Sequence, residues 1–257
     1  MTVLRSVVLS FAMFTRIPLP TLNWERTNMR YVLATLPLVG VLIGLLLWLW
    51  QWLCVLLSLD NIVFAAGLTL TPILLTGGIH LDGYCDTIDA LSSRAPQERK
   101  REILKDPHAG AFAVIGLAVF MLAYFALGTQ LKPNVVTIGL LGCAAVMSRS
   151  MGALASLTFP TSSGGGILDT FRDAAGKPAI IIAAVFFLLA ILGALYLNYP
   201  IAIALAVVVL LITLYVRGMS QRQFGGMSGD LAGYLIQLIE LGSVFVLFIM
   251  DKVMVML

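Results

Sequence analysis

The sequence predicts an all-α integral membrane protein with about seven transmembrane helices and an N-terminal interfacial or half-inserted helix. Two observations carry this prediction. First, 60% of the 257 residues are hydrophobic and 11% are charged, whereas an ordinary soluble domain is roughly 45–50% apolar and about 25% charged. Second, the apolar residues are concentrated in seven stretches close to the length of about 20 residues that a helix needs to cross a bilayer. A soluble enzyme and a disordered chain are therefore excluded, and the net charge of +3 does not indicate a nucleic-acid partner.

No linker is long enough to separate two domains, so residues 1–257 are interpreted as a single domain. The stretch Met1–Phe14 is apolar but carries Arg5 and lacks the small-residue cleavage site of a signal peptide, which favours an interfacial or half-inserted helix. The three cysteines are far apart in the sequence and predict neither a disulfide framework nor a zinc site. The seven predicted spans lie near residues 33–57, 62–81, 110–131, 135–157, 179–198, 200–216 and 231–250.

The basic residues predict the orientation of the chain, because loops rich in Lys and Arg remain in the cytoplasm. With a cytoplasmic N-terminus, thirteen of the sixteen Lys and Arg residues lie on the cytoplasmic side, and only Lys132 and Lys252 lie on the other. We therefore expect a protein of the cytoplasmic membrane whose chemistry takes place at the cytoplasmic face. Nearly all candidate catalytic groups fall in three segments on that side, 82–109, 158–178 and 217–230, which we expect to form a wide substrate mouth.

The most informative segment is GGIHLDGYCDTIDAL at 77–91, where three carboxylates share one face of a helix. Asp82, Asp86 and Asp89 stand at positions i, i+4 and i+7, and like charges at such spacing destabilise a bare helix. A cation placed against them would relieve the repulsion, and hard carboxylate oxygens suit Mg²⁺ or Mn²⁺. The alternative is a solvated acidic face neutralised by Arg94 or another basic neighbour. His80 lies on the opposite side of this helix and is interpreted as an orienting or capping group.

A second polar segment predicts an amphipathic surface helix from Pro96 to Lys105, stopped by Pro107. Most of its charges are interpreted as a solvated face. Lys105 and Asp106 differ, because they stand where the chain re-enters the bilayer. We expect them to lie near the acidic stripe, the helix face formed by Asp82, Asp86 and Asp89. One of the two residues would then contact phosphate and the other a metal ion.

A third polar segment, GGMSGD at 225–230, leads directly into the last span. Its glycines and helix N-terminus suit phosphate binding, and Asp230 is either a site residue or a plain N-cap. Glu240 lies within the span, where an unpaired charge is costly, and Arg149 is a candidate structural partner for it. The loop 161–166 is expected to be flexible and, with Arg172, to shape the substrate mouth.

Three blocks carry a resemblance to a known family: GGIHLDGYCDTIDAL at 77–91, ILKDPHAGAFA at 103–113 and GGMSGDLAGYLIQLIE at 225–240. Together with SFAMFTRIPLP at 10–20, they resemble the cobalamin synthase family, the adenosylcobinamide-GDP ribazoletransferases, over essentially the whole chain. The resemblance implies a Mg²⁺-dependent transfer in the last stage of vitamin B12 assembly. Adenosylcobinamide-GDP is joined to α-ribazole or its 5′-phosphate, and GMP leaves.

The resemblance also implies roles for individual residues. The implied partners are a corrinoid nucleotide, α-ribazole and the lipid bilayer, with no nucleic acid; a homo-oligomer stays open. The expected metal ligands for Mg²⁺ are Asp82, Asp86 and Asp89. The expected catalytic groups are Lys105, Asp106 and Asp230. The residue patterns add the expected substrate-binding groups His80, Arg94, His108, Arg149 and Arg172, and His108 stands where the family usually has Arg.

Other membrane protein classes remain as alternatives. CDP-alcohol phosphotransferases need the pattern D-x-x-D-G-x-x-A-R, whereas here the Asp-Gly pair comes first and no Ala-Arg follows at the required spacing. Membrane prenyltransferases expect two Asp-rich motifs, and this sequence has one. A cation-coupled transporter usually places ionisable groups near the midplane and often has internal repeats, whereas these charges gather at one face.

Overall fold

A computed structural model describes residues 2–20, 23, 25–162 and 167–256 of the chain. Within these residues the secondary structure is helical, apart from an isolated bridge between Thr161 and Met227. The expectation of a flexible loop therefore falls partly, at 163–166, outside the described residues. The helices are α1 (Thr2–Phe14), α2 (Arg26–Met29), α3 (Val32–Leu56), α4 (Asn61–Thr76), α5 (Ile79–Ser92), α6 (Gln97–Ile103), α7 (Ala111–Gly128), α8 (Val135–Thr158), α9 (Ile167–Ala175), α10 (Lys177–Leu197), α11 (Tyr199–Phe224) and α12 (Gly229–Met256).

The predicted multi-pass helical architecture is confirmed. Among the described helices, α3, α7, α8, α10, α11 and α12 are each long and apolar enough to cross a membrane. Helices α4 and α5 together form a seventh candidate, and α1 is the short apolar helix expected at the N-terminus. Large side chains such as Leu74, Leu122 and Ile181 are exposed on the outside of the bundle, which is typical of a surface that contacts lipid.

The second span differs from its prediction as a continuous helix near 62–81. Helix α4 ends at Thr76, and the axis of α5 is turned by 95° from that of α4. The turn requires glycine, since Gly77 and Gly78 have φ angles of 66° and 79°, in the left-handed region that other residues rarely adopt. The Arg16 side chain packs against Gly77, where a Cβ atom would lie 2.7 Å from Nε. The acidic segment therefore belongs to a separate helix rather than to the end of a straight span.

Small residues allow the central helices to approach closely. Gly40 and Gly44 of α3 face Ala145 and Gly142 of α8, and a Cβ atom at Gly40 would lie 2.5 Å from the Ala145 carbonyl oxygen. Such small-residue contacts are a common basis of helix association in membranes, because they let backbones pack against each other. The α3–α8 pair forms the centre of the bundle, with α10 and α12 also packed against α8.

The connections that carry the polar motifs all lie at one end of the bundle. Each span reverses the direction of the chain, so the segments 77–110, 159–176 and 225–228 emerge on the same side as the start of α3. The third segment is shorter than expected, because α11 continues as a helix to Phe224. The expected gathering of three polar segments is confirmed, and it places them around one cavity.

Candidate active site

A cavity of about 490 Å³ lies at this end of the bundle. Its wall includes residues from α1, α3, α5, α6, α8, α9 and α12 and from the connections between them. Three of the sequence-predicted functional groups, Asp82, Lys105 and Asp230, line it together. Because they come from three distant blocks of the sequence, their convergence is a property of the fold and not of local spacing.

A close crossing of α5 and α12 sets the relative position of two carboxylates. A Cβ atom at Gly83 would lie 2.8 Å from the Asp230 Cα atom, so the helices meet backbone to backbone at this point. Asp82, next to Gly83, and Asp230 both face the cavity. The carboxylates of Asp82 and Asp86 also interact electrostatically with Asp230. The crossing therefore brings acidic groups of two helices into one electrostatic cluster.

Asp230 is not the residue that caps α12. The Ser228 hydroxyl accepts a hydrogen bond from the backbone N–H of Leu231 at 3.3 Å, which is the arrangement of an N-cap side chain. The Asp230 carboxylate accepts a hydrogen bond from Ser228. With the helix N-terminus capped by serine, the aspartate is left facing the cavity, and the interpretation as a plain N-cap is wrong.

Two basic side chains of the α6 region face the same cavity. Lys105 was expected there, whereas Arg101 was assigned to the solvated face of the amphipathic helix. The two residues are four positions apart in the segment predicted as a helix from Pro96 to Lys105, which places them on one face of that predicted helix. This signal could have identified Arg101, although α6 itself ends at Ile103. Helix α6 is held against α11 by a hydrogen bond from Lys100 to Gln223 and another from Gln97 to the Gln221 carbonyl oxygen. Arg101 and Lys105 are therefore held at the cavity by a segment that is fixed to α11.

Asp89 occupies a different environment from Asp82. Its carboxylate packs against Gly110 and accepts a hydrogen bond from the backbone N–H of Ala113 at 3.3 Å. A carboxylate at this place satisfies free N–H groups at the start of α7 and interacts favourably with the helix dipole. Neither Asp86 nor Asp89 lines the cavity. The stripe read from the sequence therefore divides, with Asp82 at the cavity and Asp89 at the N-terminus of α7.

The donor set suits a metal ion that is shared with substrate. Over the described part of the chain, no three His, Cys, Asp or Glu side chains form a group that could enclose a metal ion. Asp82 and Asp230 offer hard oxygen donors from two helices at the cavity. Mg²⁺ usually takes one or two carboxylates together with water and phosphate oxygens. The residues present therefore fit such a shared site and not a cage built by protein ligands alone.

The structure places two expected site residues on an exposed turn away from the cavity. Asp106 and His108 contact each other, with Oδ1 of the aspartate 2.7 Å from Nδ1 of the histidine. Hydrogen bonds from the backbone N–H and the ring of His108 lower the pKa of Asp106 below its usual value. Arg94 is also exposed and does not line the cavity. None of these three side chains lines the cavity with Asp82, Lys105 and Asp230.

Arg149 and Arg172, expected to bind substrate, are engaged elsewhere. Arg149 is fully buried in the bundle and forms an ion pair with Glu240, which confirms the structural partner considered for that glutamate. Arg172 donates a hydrogen bond to the Phe159 carbonyl oxygen at 2.6 Å. It thereby fixes α9 against the end of α8, and α9 contributes Leu168, Asp169 and Phe171 to the cavity wall. Arg172 therefore acts on the cavity wall through the placement of α9.

Two lining residues had no signal in the sequence patterns, Ser156 and Ser162. His80, an expected site residue that is only 4% exposed, and Ser228 of the third block also line the cavity. The loop at Ser162 is fixed to the start of α12 by a hydrogen bond from its N–H to the Met227 carbonyl oxygen at 3.2 Å. Serines outside a motif cannot be distinguished by sequence from those that pack within a membrane bundle. Only their position in the fold identifies them.

Comparisons with known proteins identify the family of this chain. The cobalamin-5-phosphate synthase family matches residues 6–248. A protein of Lachnoclostridium phytofermentans named adenosylcobinamide-GDP ribazoletransferase is 39% identical over 241 residues, which cover 93% of this chain and 91% of that protein. A Clostridium perfringens protein of the same name is 32% identical over 248 residues, covering 95% and 97%. One from Listeria monocytogenes is 36% identical over 234 residues, covering 90% and 92%.

No solved structure matches this chain, so the fold and the cavity are described from the chain itself. The family match includes all three segments that surround the cavity, because it extends from residue 6 to residue 248. Each of the three relatives aligns with at least 90% of the chain. The chain belongs to the cobalamin-5-phosphate synthase family.

Proposed function

We propose that this protein is an adenosylcobinamide-GDP ribazoletransferase that acts at the cytoplasmic face of the cell membrane. The observation that carries the proposal is the convergence of Asp82, Lys105 and Asp230, from three separate segments, on one cavity. Carboxylates and a cation around a cavity suit a reaction in which a charged phosphate group is transferred. The printed names of the relatives supply the substrate class.

The reaction exchanges one phosphate linkage for another. A ribose hydroxyl of α-ribazole attacks the phosphorus that carries the cobinamide group, and a new P–O bond forms. The phosphoanhydride P–O bond breaks, GMP leaves with the bonding electrons, and the hydroxyl proton is released. The alternative acceptor, α-ribazole 5′-phosphate, would react through its ribose hydroxyl in the same way and give adenosylcobalamin 5′-phosphate. No change of oxidation state is involved.

The charged residues have separate tasks in this proposal. Lys105 and Arg101 bind the pyrophosphate oxygens and offset the negative charge that develops on the leaving GMP. Asp82 and Asp230 would hold Mg²⁺, with Asp86 adding negative potential beside them. The ion, when bound, neutralises and orients the pyrophosphate oxygens. Asp230, anchored at the capped start of α12, also helps to orient the attacking hydroxyl.

The orientation follows from the distribution of basic residues. All three segments around the cavity emerge at the end of the bundle that carries most of the Lys and Arg residues. Loops rich in these residues remain in the cytoplasm. The substrates are a corrinoid nucleotide and a nucleoside, both water-soluble, so a cavity that opens to the cytoplasm gives them direct access. We therefore assign the N-terminus and the cavity to the cytoplasmic side.

The testing experiment measures transfer by purified protein in nanodiscs. The protein is incubated with adenosylcobinamide-GDP and α-ribazole, with Mg²⁺ or with EDTA, and GMP and adenosylcobalamin are quantified. We expect the two products in equal amounts, only with the metal. A well-folded protein that forms neither product with Mg²⁺ refutes the proposed activity, and CDP-alcohols become the next substrates to test. Equal turnover in EDTA retains the activity and refutes the metal role.

A further inference from the structure

The cavity changes in character from its mouth to its interior. Asp82 and Lys105 are solvent-exposed and mark the mouth. The inner wall is buried and mainly apolar, with Phe14 of α1, Leu36 of α3 and Ile236 of α12 at 7%, 3% and 0% exposure. A ligand that fills the cavity therefore needs a polar, reactive end at the mouth and a flat or apolar end inside.

Among the described residues of the inner wall, His80 has a buried polar atom without a partner. His80 lines the cavity and is 4% exposed, and its Nε2 atom is buried with no hydrogen-bond partner. The ring is held in place, because it stacks on Phe14 with centroids 5.8 Å apart and planes at 30°. Its backbone is fixed against α12, where a Cβ atom at Gly233 would lie 2.9 Å from the His80 carbonyl oxygen. A buried polar atom without a partner costs free energy, and a bound ligand would remove that cost.

The size of the cavity selects between the two substrates. A volume of about 490 Å³ lies in the lower half of the range of roughly 300–1,000 Å³ that is typical of sites for drug-sized ligands. A single nucleoside fits this space, whereas a corrinoid nucleotide is several times larger. The corrinoid must therefore remain outside the mouth and present only its pyrophosphate to the charged residues there.

We infer that the cavity is the pocket for the acceptor nucleoside and that His80 recognises its base. The inference rests on the proposed function. The ribose, which carries the attacking hydroxyl, lies near Asp82 and Asp230, and the flat aromatic base extends to Phe14 and Leu36. In the tautomer with hydrogen on Nε2, His80 donates a hydrogen bond to the free ring nitrogen of a benzimidazole-type base. His80 thus determines which base is accepted, and it takes no part in bond breaking.

A binding experiment with matched ligands tests this contact. Binding of α-ribazole to the full-length protein in nanodiscs is measured by calorimetry without corrinoid, and the KM for the nucleoside is measured during turnover. The comparison ligand is the corresponding indole riboside, in which a C–H group replaces the free ring nitrogen. Wild type should bind α-ribazole roughly tenfold more tightly than the indole riboside, since a buried hydrogen bond is lost.

Two variants of His80 separate the hydrogen bond from packing. His80→Phe keeps a ring against Phe14 but removes Nε2, so it should bind both nucleosides with equal, weakened affinity. His80→Gln places an amide N–H near the former Nε2 atom and should recover part of the preference for α-ribazole. A folded His80→Phe protein that keeps the wild-type preference, in Kd and in KM, overturns the inference. A wild-type protein that shows no preference also overturns it.

Filling the inner wall tests the location of the nucleoside independently of His80. Leu36→Trp should raise the Kd for α-ribazole at least about tenfold and leave the Kd for adenosylcobinamide-GDP unchanged. Leu45→Trp is the matched control, because Leu45 is on the same helix and 58% exposed on its outer face. A Leu36→Trp protein that loses corrinoid binding instead overturns the inference while leaving the proposed activity intact. Nucleoside binding that depends on His80, in a protein that releases no GMP, supports the pocket and refutes the proposed activity.

Discussion

Removing the charge of Glu240 is expected to destabilise the bundle through its effect on Arg149. The arginine is 0% exposed, and its Nε and Nη2 atoms have no hydrogen-bond partner. Its Nη1 atom contacts Glu240 and the Ser148 hydroxyl. Because Glu240 is its counter-ion, Glu240→Gln leaves a buried cation without compensation. Breaking such a pair from one side costs about 3–5 kcal/mol in measured cases, and we expect a loss of that order in the free energy of unfolding.

The double variant Arg149→Met/Glu240→Met removes both charges and keeps unbranched side chains in their place. Replacement of a buried ion pair by apolar residues is often neutral or stabilising, so this variant should recover most of the stability lost by Glu240→Gln. The assay is equilibrium unfolding in mixed micelles with increasing SDS, followed by tryptophan fluorescence. Transferase activity is measured on the same preparations, because a purely structural Arg149 predicts that the double variant retains turnover.

Two results would refute this reasoning. An unchanged unfolding midpoint for Glu240→Gln would show that the buried cation does not depend on the glutamate. A double variant that is as stable as wild type but has no activity would return Arg149 to the substrate-binding role that the sequence suggested. Comparison of the single and double variants thus distinguishes a structural ion pair from a substrate contact at Arg149.

Three further predictions concern the two crossing helices and the exposed turn. Asp82→Asn should lower the rate of transfer by at least about 100-fold. Asp89→Asn keeps an acceptor oxygen for the start of α7 and should lower the rate by less than about tenfold. Equal losses in the two variants would make Asp89 a metal ligand. Gly83→Ala should lower both transfer and the apparent affinity for Mg²⁺, because the added Cβ would lie 2.7 Å from a backbone oxygen of α12. Gly218→Ala is its control, with no atom within 4 Å, and identical behaviour of the two would contradict the crossing as the basis of the site. Asp106→Asn should leave transfer almost unchanged in the same GMP assay, and a large loss would bring the exposed turn back into the reaction.

The sequence predicted the number of spans and the gathering of polar segments, because both follow from simple physical limits. The hydrocarbon thickness fixes the length of each span, and alternate crossings bring every second connection to the same end of the bundle. Lys105 and Asp230 could therefore be grouped with Asp82 from chain order alone. This reasoning fixes which segments meet but says nothing about which side chains of each segment face inward.

The remaining features depend on tertiary contacts that local patterns do not contain. Ser228 and Asp230 are both favourable N-cap residues, and only the observed hydrogen bond to Leu231 shows which of them caps α12. Asp106 stands beside Lys105 in the sequence, yet it contacts His108 on an exposed turn. In each case the local sequence allows more than one arrangement, and the structure of the whole bundle shows which one forms.

The division of the acidic stripe follows from the bend at Gly77 and Gly78. A straight continuation of α4 would carry Asp86 about 15 Å beyond Thr76, at 1.5 Å per residue, and leave the stripe projecting from the bundle as one solvated face. The 95° turn instead places α5 against α12 and α7. Gly83, which follows Asp82, then meets the backbone of Asp230, and Asp89 meets the N-terminus of α7. The regularly spaced carboxylates therefore face two different neighbours, α12 and the start of α7. The bend at Gly77 and Gly78, more than the spacing itself, determines which carboxylate reaches the cavity.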